Sequence, residues 1–92
     1  MRKRHFDINP KDNSSIETLY DNYFAAVKTR IVRNKNGEIQ YTIDYTDYAY
    51  AEHENGAING YPSKAIYKAP DGHIIKTEFL NESGEVEKVV KS

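Results

Sequence analysis

The chain has 92 residues and a formal net charge of −1 at pH 7, with 13 Lys or Arg against 14 Asp or Glu and no Cys. This length allows one domain with a small core. The absence of Cys excludes a disulfide framework and Cys-ligated zinc, and the balanced charge excludes a generic polycation. No apolar run follows the basic start or reaches the roughly 20 residues of a membrane span, so we expect a cytoplasmic protein without a signal peptide.

Residues 1–13 are predicted to form an extended arm, because they carry the turn-forming pair Asn9-Pro10 and show no helical periodicity. Two apolar side chains, Phe6 and Ile8, are positioned to pin this arm as an edge strand. The arm begins with a short basic cluster at Arg2–Arg4, which is a candidate for contact with phosphate.

A helix is predicted after the arm. Ser14 and Glu17 have the spacing of a capping box, in which each side chain satisfies a free amide at a helix start. Apolar side chains then recur every three or four residues: Ile16, Leu19, Tyr20, Tyr23, Phe24 and Val27. We therefore predict an amphipathic helix over 14–25. Residues 25–33 fit two further helical turns or a first strand, and the turn that follows favours the strand.

The remainder of the chain has the pattern of an antiparallel sheet. Ile and Val total 14 against two Leu, and all five Gly lie in turn contexts, three of them resembling a type I turn followed by a left-handed residue. Strands are predicted near 25–33, 38–51, 64–69, 73–80 and 85–91. The predicted fold class is α+β: one N-terminal amphipathic helix packs on a four- or five-stranded antiparallel sheet (26–92), with a β-meander in the C-terminal half, and the other face stays free for binding.

Charge and tyrosine are concentrated in one block of the chain. Residues 1–36 carry eight Lys or Arg and four acids, whereas residues 37–63 carry five acids and no Lys or Arg. The same middle block holds five of the eight Tyr. The near-zero total charge is therefore a cancellation between segments of opposite sign, and residues 37–63 are the strongest candidate for a binding face.

The alternation of side chains within this block changes halfway along. One set of odd-numbered positions should share a face: Ile39, Tyr41, Ile43 and Tyr45. After them the aromatic residues become even-numbered, at Tyr48 and Tyr50. A β-bulge near Thr46-Asp47 would return these rings to the first face. Without a bulge, the two tyrosines lie exposed beside acidic side chains.

We interpret this block as a protein-binding surface. Exposed Tyr offers a large contact area at low entropic cost, and carboxylates attract a cationic partner. The predicted partner-binding residues are Asp44, Asp47, Tyr48, Tyr50, Glu52 and Glu54. The function we expect is a small non-enzymatic inhibitor, with no cofactor or metal, that occupies the basic, nucleic-acid-binding surface of a larger protein, as phage-type inhibitors of host defence nucleases do.

Three alternatives remain open from the sequence. Arg2–Arg4 and the first hairpin, with Arg30 and Arg33, are candidates for nucleic-acid binding. A small ribonuclease-like hydrolase would need a histidine beside a carboxylate, and His73 and Glu78 are the candidates, but they lie on opposite faces of one predicted strand. A homodimer formed through an edge strand is compatible with each of these functions.

Overall fold

The computed structural model of the protein describes residues 4–20 and 27–92, and every regular element within these ranges is a β-strand. Each strand pairs antiparallel with the next, so the order in the sheet is the order in the chain. The strands are β1 (Arg4–Ile8), β2 (Ser15–Tyr20), β3 (Val27–Arg33), β4 (Ile39–Glu52), β5 (Ile58–Lys68), β6 (Ile74–Leu80) and β7 (Val86–Lys91). None of the described residues belongs to a helix that could cross a membrane.

The predicted helix over 14–25, and with it the α+β fold class, is wrong. Ser15–Tyr20 form strand β2, which pairs with β1 on one side and β3 on the other; residues 21–26 lie outside the described residues. Ser14 does not cap a helix, because its amide and hydroxyl both donate to Asp12 Oδ1, at 3.0 and 2.6 Å, in the turn before β2. The prediction of an edge strand at Phe6 and Ile8 is confirmed by β1.

Glu17 explains why this segment forms a strand. Its carboxylate is 2.9 Å from Arg4 Nε on β1 and 2.9 Å from a terminal guanidinium nitrogen of Arg33 on β3, and the residue is only 6% exposed. A buried carboxylate requires such partners, since an unpaired buried charge is very costly. Only three strands side by side bring both arginines to Glu17, so long-range pairing overrides the local helix signal.

Two of the tight turns are built alike from the pattern Asn-x-x-Gly-Glu. The Asn34 carbonyl accepts the amide of Gly37 at 3.0 Å, and the Asn81 carbonyl accepts that of Gly84 at 3.0 Å. In each turn the Asn side-chain oxygen also accepts the two amides that lie two and four residues ahead. Both glycines have φ near +85°, where a Cβ would be strained. The predicted type I turns with a one-residue bulge are therefore confirmed here.

Apolar burial is concentrated at the centre of the sheet. Among the described residues the buried apolar side chains are Ile43 on β4 and Ala65 on β5, at 6% and 1% exposure. The Cα radius of gyration is 14.7 Å, compared with about 12 Å expected for a compact domain of this length. The described strands thus form a single broad layer rather than two packed layers, and the predicted C-terminal meander is confirmed within it.

Candidate functional site

The two longest strands extend past their neighbours and form a projecting hairpin. β4 pairs with β3 only as far as Asp44, and β5 pairs with β6 only from Lys64 onward. Beyond these points, within residues 4–20 and 27–92, β4 and β5 pair only with each other, as far as Glu52 opposite Ile58. We call residues 47–63 the distal hairpin. It contains five of the six predicted partner-binding residues, all except Asp44.

Pro62 lies within this hairpin and shows why the hairpin remains two-stranded. The amide of His53 bonds to the carbonyl of Ala57, so the hydrogen-bonded pairs of β4 and β5 fall at odd-numbered positions. Pro62 stands opposite Tyr48 at a non-bonded position, and its nitrogen faces the side that β6 does not reach. Proline therefore costs no ladder hydrogen bond here, and it opposes pairing by a further strand.

Asp47 marks the junction between the distal hairpin and the rest of the sheet. Its φ is +55°, a left-handed value that is uncommon for a residue other than glycine. Its carbonyl accepts the Ser63 hydroxyl, and its carboxylate lies 2.8 Å from Lys64 Nζ. Of the two alternatives for this part of the strand, the β-bulge near Thr46-Asp47 is not formed, because Thr46 opposite Lys64 and Tyr48 opposite Pro62 keep the same register. The strand is irregular at Asp47 without gaining an extra residue.

Tyr48 and Tyr50, the aromatic residues of the predicted site, differ in exposure. The Tyr48 hydroxyl donates to the Val27 carbonyl at 2.9 Å, and the side chain is half-buried. Tyr50 is 62% exposed. Its ring lies against Gly60, where a Cβ would come within 3.2 Å of Tyr50 Cε1. Tyr48 thus joins the hairpin to β3, while Tyr50 presents its ring to solvent.

The acidic residues of the predicted site fall into two groups. Asp44 and Asp47 are neutralised by lysines of β5, with Lys68 Nζ 2.9 Å from Asp44 and Lys64 paired to Asp47. Glu52 and Glu54 lie exposed at the end of the hairpin, and no cation of the described residues forms an ion pair with either. The unbalanced negative charge is therefore at the tip.

The tip is also connected to the turn between β6 and β7. His53 Nε2 lies 2.5 Å from Glu82 Oε2, and the Asn59 amide donates to the same oxygen at 3.0 Å. These hydrogen bonds, the one from His53 foremost, lower the pKa of the Glu82 carboxyl. The projecting hairpin is thus connected to both neighbouring parts of the sheet, through Tyr48 on one side and Glu82 on the other.

A groove that the sequence did not reveal lies beside the hairpin. It has a volume of about 700 Å³ and is lined by Arg30, Tyr45, Tyr67, Glu78 and Leu80 among others. The strand register places Tyr45, Ala65 and Glu78 in one row, next to the row of Arg30, Ile43 and Tyr67. The predicted face shared by Ile39, Tyr41, Ile43 and Tyr45 is confirmed for the last three, and this alternation could have located the groove. It is wrong for Ile39, which stands opposite Arg33 beyond a register shift and so falls on the other face.

Polar side chains of the groove are bonded to one another. Burial, followed by the hydrogen bond to Glu78, raises the pKa of Tyr67. Lys76 Nζ lies 4.4 Å from the centre of the Tyr67 ring and 3.2 Å from a Glu78 carboxylate oxygen. Arg30 donates to the Tyr45 hydroxyl at 3.2 Å and lies over that ring. These contacts hold the polar side chains on one side of the groove in defined positions.

The residues of the alternative hypotheses do not converge. Arg33 faces Glu17, whereas Arg30 faces Tyr45 on the other side of the sheet; Arg2 lies outside the described residues. His73 is hydrogen-bonded to Asp71 in its own turn, at 2.6 Å, rather than to Glu78.

Comparisons with protein-family models, curated proteins and solved structures find no match to this chain. Its function has to be inferred from its own geometry.

Proposed function

We propose that the protein is a non-enzymatic binding module that inserts the tip of its distal hairpin into a basic cleft of a larger protein. The observation that carries this proposal is the exposure of Tyr50 and Ile58, at 62% and 67%, on a two-stranded projection. An exposed ring and an exposed aliphatic side chain at the end of a projection resemble the apolar anchors that dominate binding energies at interfaces.

The charge of the tip favours a cationic partner. Residues 47–63 contain three acids and no Lys or Arg. Because Lys64 compensates Asp47, the charge available to a partner is that of Glu52 and Glu54. Carboxylates around an apolar anchor raise the association rate with a basic surface and disfavour an acidic one. The nucleic-acid-binding cleft of a cytoplasmic enzyme is such a basic surface. The specific form of the proposal is therefore an inhibitor of phage type that occupies this cleft.

The contacts of the arginines make nucleic-acid binding the second choice. Arg4 and Arg33 both pair with Glu17, and Arg30 is engaged by Tyr45 on the opposite face. Binding to a nucleic-acid backbone needs several cations on one accessible surface. The described arginines are instead divided between two faces and bonded to side chains of the sheet.

The proposal is tested with the double variant Glu52→Lys/Glu54→Lys and the single variant Tyr50→Ala. Both leave the described ion pairs and the buried residues intact, so we expect folded proteins. Affinity for a partner isolated with the wild-type chain should fall at least tenfold in each variant, which is the size of effect typical of interface anchors and steering charges. The double variant should also show a weaker dependence of affinity on salt.

Asp71→Lys provides the matched control, because Asp71 is an exposed acid in the turn between β5 and β6. It should leave the affinity unchanged. Equal loss of binding in the control and the tip variants, or unchanged affinity in the tip variants, contradicts the proposal. A low-salt gel shift that is lost on Arg30→Ala and kept in the tip variants would establish the nucleic-acid alternative instead.

A further inference from the structure

Strand β1 forms one edge of the sheet, and none of the other described strands pairs with its outer side. The amide of Asn9 donates to the Ser14 carbonyl at 2.9 Å, and β1 pairs with β2 without a register shift, so the odd-numbered positions of β1 bond inward. The backbone amides and carbonyls of Arg4, Phe6 and Ile8 therefore point outward, where a further strand would pair.

The side chains of β1 leave this edge unprotected. All five residues of the strand are exposed, among them Phe6 at 47% and Ile8 at 65%. The positive charge of Arg4 is compensated by Glu17, 2.9 Å away. A regular edge strand with exposed apolar side chains is a template for pairing with another chain.

The opposite edge of the sheet is protected in two ways. The pairing of β7 with β6 is interrupted by a register shift between Phe79 and Leu80. Strand β7 also contains Lys88 and Lys91. Irregular pairing and lysine are devices that discourage edge-to-edge association. Of the two edges, β1 is therefore the one suited to pairing.

The outward groups of β1 match those of a second copy of the same strand. When two β1 strands run antiparallel with Phe6 opposite Phe6, all three outward positions become hydrogen-bonded pairs and exchange about six backbone hydrogen bonds. In this register the two Phe6 rings are direct cross-strand neighbours, and aromatic pairs in that position are stabilising. Arg4 of each copy stands opposite Ile8 of the other, so no like charges meet across the axis.

The other face of β1 carries a pair of side chains that is complementary to itself. His5 and Asp7 share this face, and His5 Nε2 lies 3.1 Å from an Asp7 carboxylate oxygen within the strand. In the same register His5 of each copy stands opposite Asp7 of the other, at non-hydrogen-bonded positions, where facing side chains are closest. An imidazole N–H donates to a carboxylate, and the protonated ring also has the opposite charge. The reversed strand thus presents an acceptor to each donor.

We propose that two copies of the protein pair through β1 about a two-fold axis at Phe6, with two crossed His5–Asp7 pairs on the other face. The two seven-stranded sheets become one continuous sheet. Because both copies use the same strand, the assembly closes as a dimer. This inference does not involve the distal hairpin, and it goes beyond the proposed function.

Two single-cysteine variants test the register, because the chain contains no Cys. In the proposed dimer residue 5 of one copy faces residue 7 of the other with about 4.5 Å between the Cα atoms, within the range of a disulfide. Two copies of residue 5, or two of residue 7, are diagonal neighbours roughly 7–8 Å apart, beyond that range.

An equimolar mixture of His5→Cys and Asp7→Cys should therefore give mainly the mixed covalent dimer under mild oxidation. Intact-mass spectrometry separates the mixed dimer from the two dimers of a single variant. A mixed dimer that makes up no more than the half expected from random pairing, or no covalent dimer at all, would overturn the proposed register.

A charge at the centre of the pairing tests the same dimer without oxidation. Phe6→Lys places two like charges opposite each other and should weaken the dimer roughly tenfold or more. Because Phe6 is exposed, the variant should keep the circular dichroism spectrum of the wild type. Val90→Lys is the matched control, since Val90 is an apolar residue of similar exposure on β7, and it should leave the dimer intact.

Sedimentation equilibrium of the full chain compares the three proteins. A wild-type chain that stays monomeric at millimolar concentration contradicts the proposal, and so does a Phe6→Lys variant that dimerises as well as the wild type. Loss of the dimer in Val90→Lys but not in Phe6→Lys would assign the contact to β7 instead.

Discussion

The two halves of the β4–β5 hairpin differ in environment although they belong to the same pair of strands. Ile43 in the proximal half is 6% exposed, whereas Ile58 in the distal half is 67% exposed. The proximal half lies between β3 and β6, and the distal half pairs with neither of them. The burial of Ile43 therefore goes together with a neighbouring strand on each side, which Ile58 lacks among the described residues.

The difference also divides the roles of the two halves. The proximal half contains Ile43 and Ala65, and its acid Asp44 is paired with Lys68. The distal half leaves Tyr50 and its terminal carboxylates exposed to solvent. Of the following variants, those at Ile43 and Ile58 are matched across the two halves and those at Asp47 lie at their junction. The variants at Glu17 and Glu82 compare or connect the hairpin tip with the rest of the sheet.

The largest effect is expected from truncating the buried isoleucine. Ile43→Ala should lower the free energy of unfolding by about 2–4 kcal/mol, because it removes buried methyl groups and leaves a cavity. Ile58→Ala, the same substitution in the distal half, should change it by less than about 0.5 kcal/mol. Urea unfolding followed by circular dichroism measures both. Similar losses in the two variants would mean that the distal hairpin is packed against another part of the protein.

A smaller effect is expected from the buried carboxylate. Glu17→Gln keeps the shape of the side chain but leaves Arg33 without its counter-charge, so unfolding should become easier by about 1–3 kcal/mol. Glu52→Gln at the hairpin tip removes the same charge from a site without an ion pair among the described residues and should be nearly neutral. Urea midpoints at low and moderate salt compare them. A stable Glu17→Gln protein would show that the two arginines do not need this acid to hold β1 and β3 on β2.

The junction between the halves should respond to the shape of the side chain at Asp47. Asp47→Val places a β-branched residue at φ +55° and should cost about 1–2 kcal/mol. Asp47→Gly relieves the backbone but loses the ion pair with Lys64, and these changes should nearly cancel. Thermal unfolding of the two variants measures the difference. Equal midpoints would mean that the backbone at Asp47 relaxes to an ordinary strand conformation.

Local signals in the sequence predicted the turns and several strands correctly. The Asn-x-x-Gly-Glu turns are encoded by residues close in sequence, and so are strands β6 and β7. Side chains on either side of Ile43 alternate between the two faces because successive residues of a β-strand point to opposite faces. The same reasoning placed Tyr48 and Tyr50 in one site. It could not predict that Tyr48 is less exposed than Tyr50, because the Tyr48 hydroxyl is hydrogen-bonded to the carbonyl of Val27, which is remote in sequence.

Two features escaped prediction because they depend on distant partners. The capping-box spacing of Ser14 and Glu17 is equally compatible with a strand, and only the positions of Arg4 and Arg33 decide between them. The sequence places Gly60 in a turn and predicts a strand only from residue 64, yet β5 begins at Ile58 and contains Gly60. Pro62 is accepted there because β6 ends short of it. Neither the buried acid nor the open side of β5 can be recognised without the order of the strands.

The smallest effect, and the one that most directly tests whether the tip is fixed to the sheet, concerns the pH dependence of Glu82. Hydrogen bonds from His53 and Asn59 lower the pKa of this carboxyl below its ordinary value of 4.5 in the folded chain. A lowered folded-state pKa contributes stability that is present above the ordinary value and is lost as the pH falls through the lowered one. The difference in thermal midpoint between the wild type and Glu82→Gln should therefore shrink from about pH 6 to pH 3. Carboxyl chemical shifts should show Glu82 titrating below 4.5 in the wild type and moving back towards it in His53→Gln. A Glu82 that titrates at its ordinary value in the wild type would mean that the tip moves independently of the turn between β6 and β7.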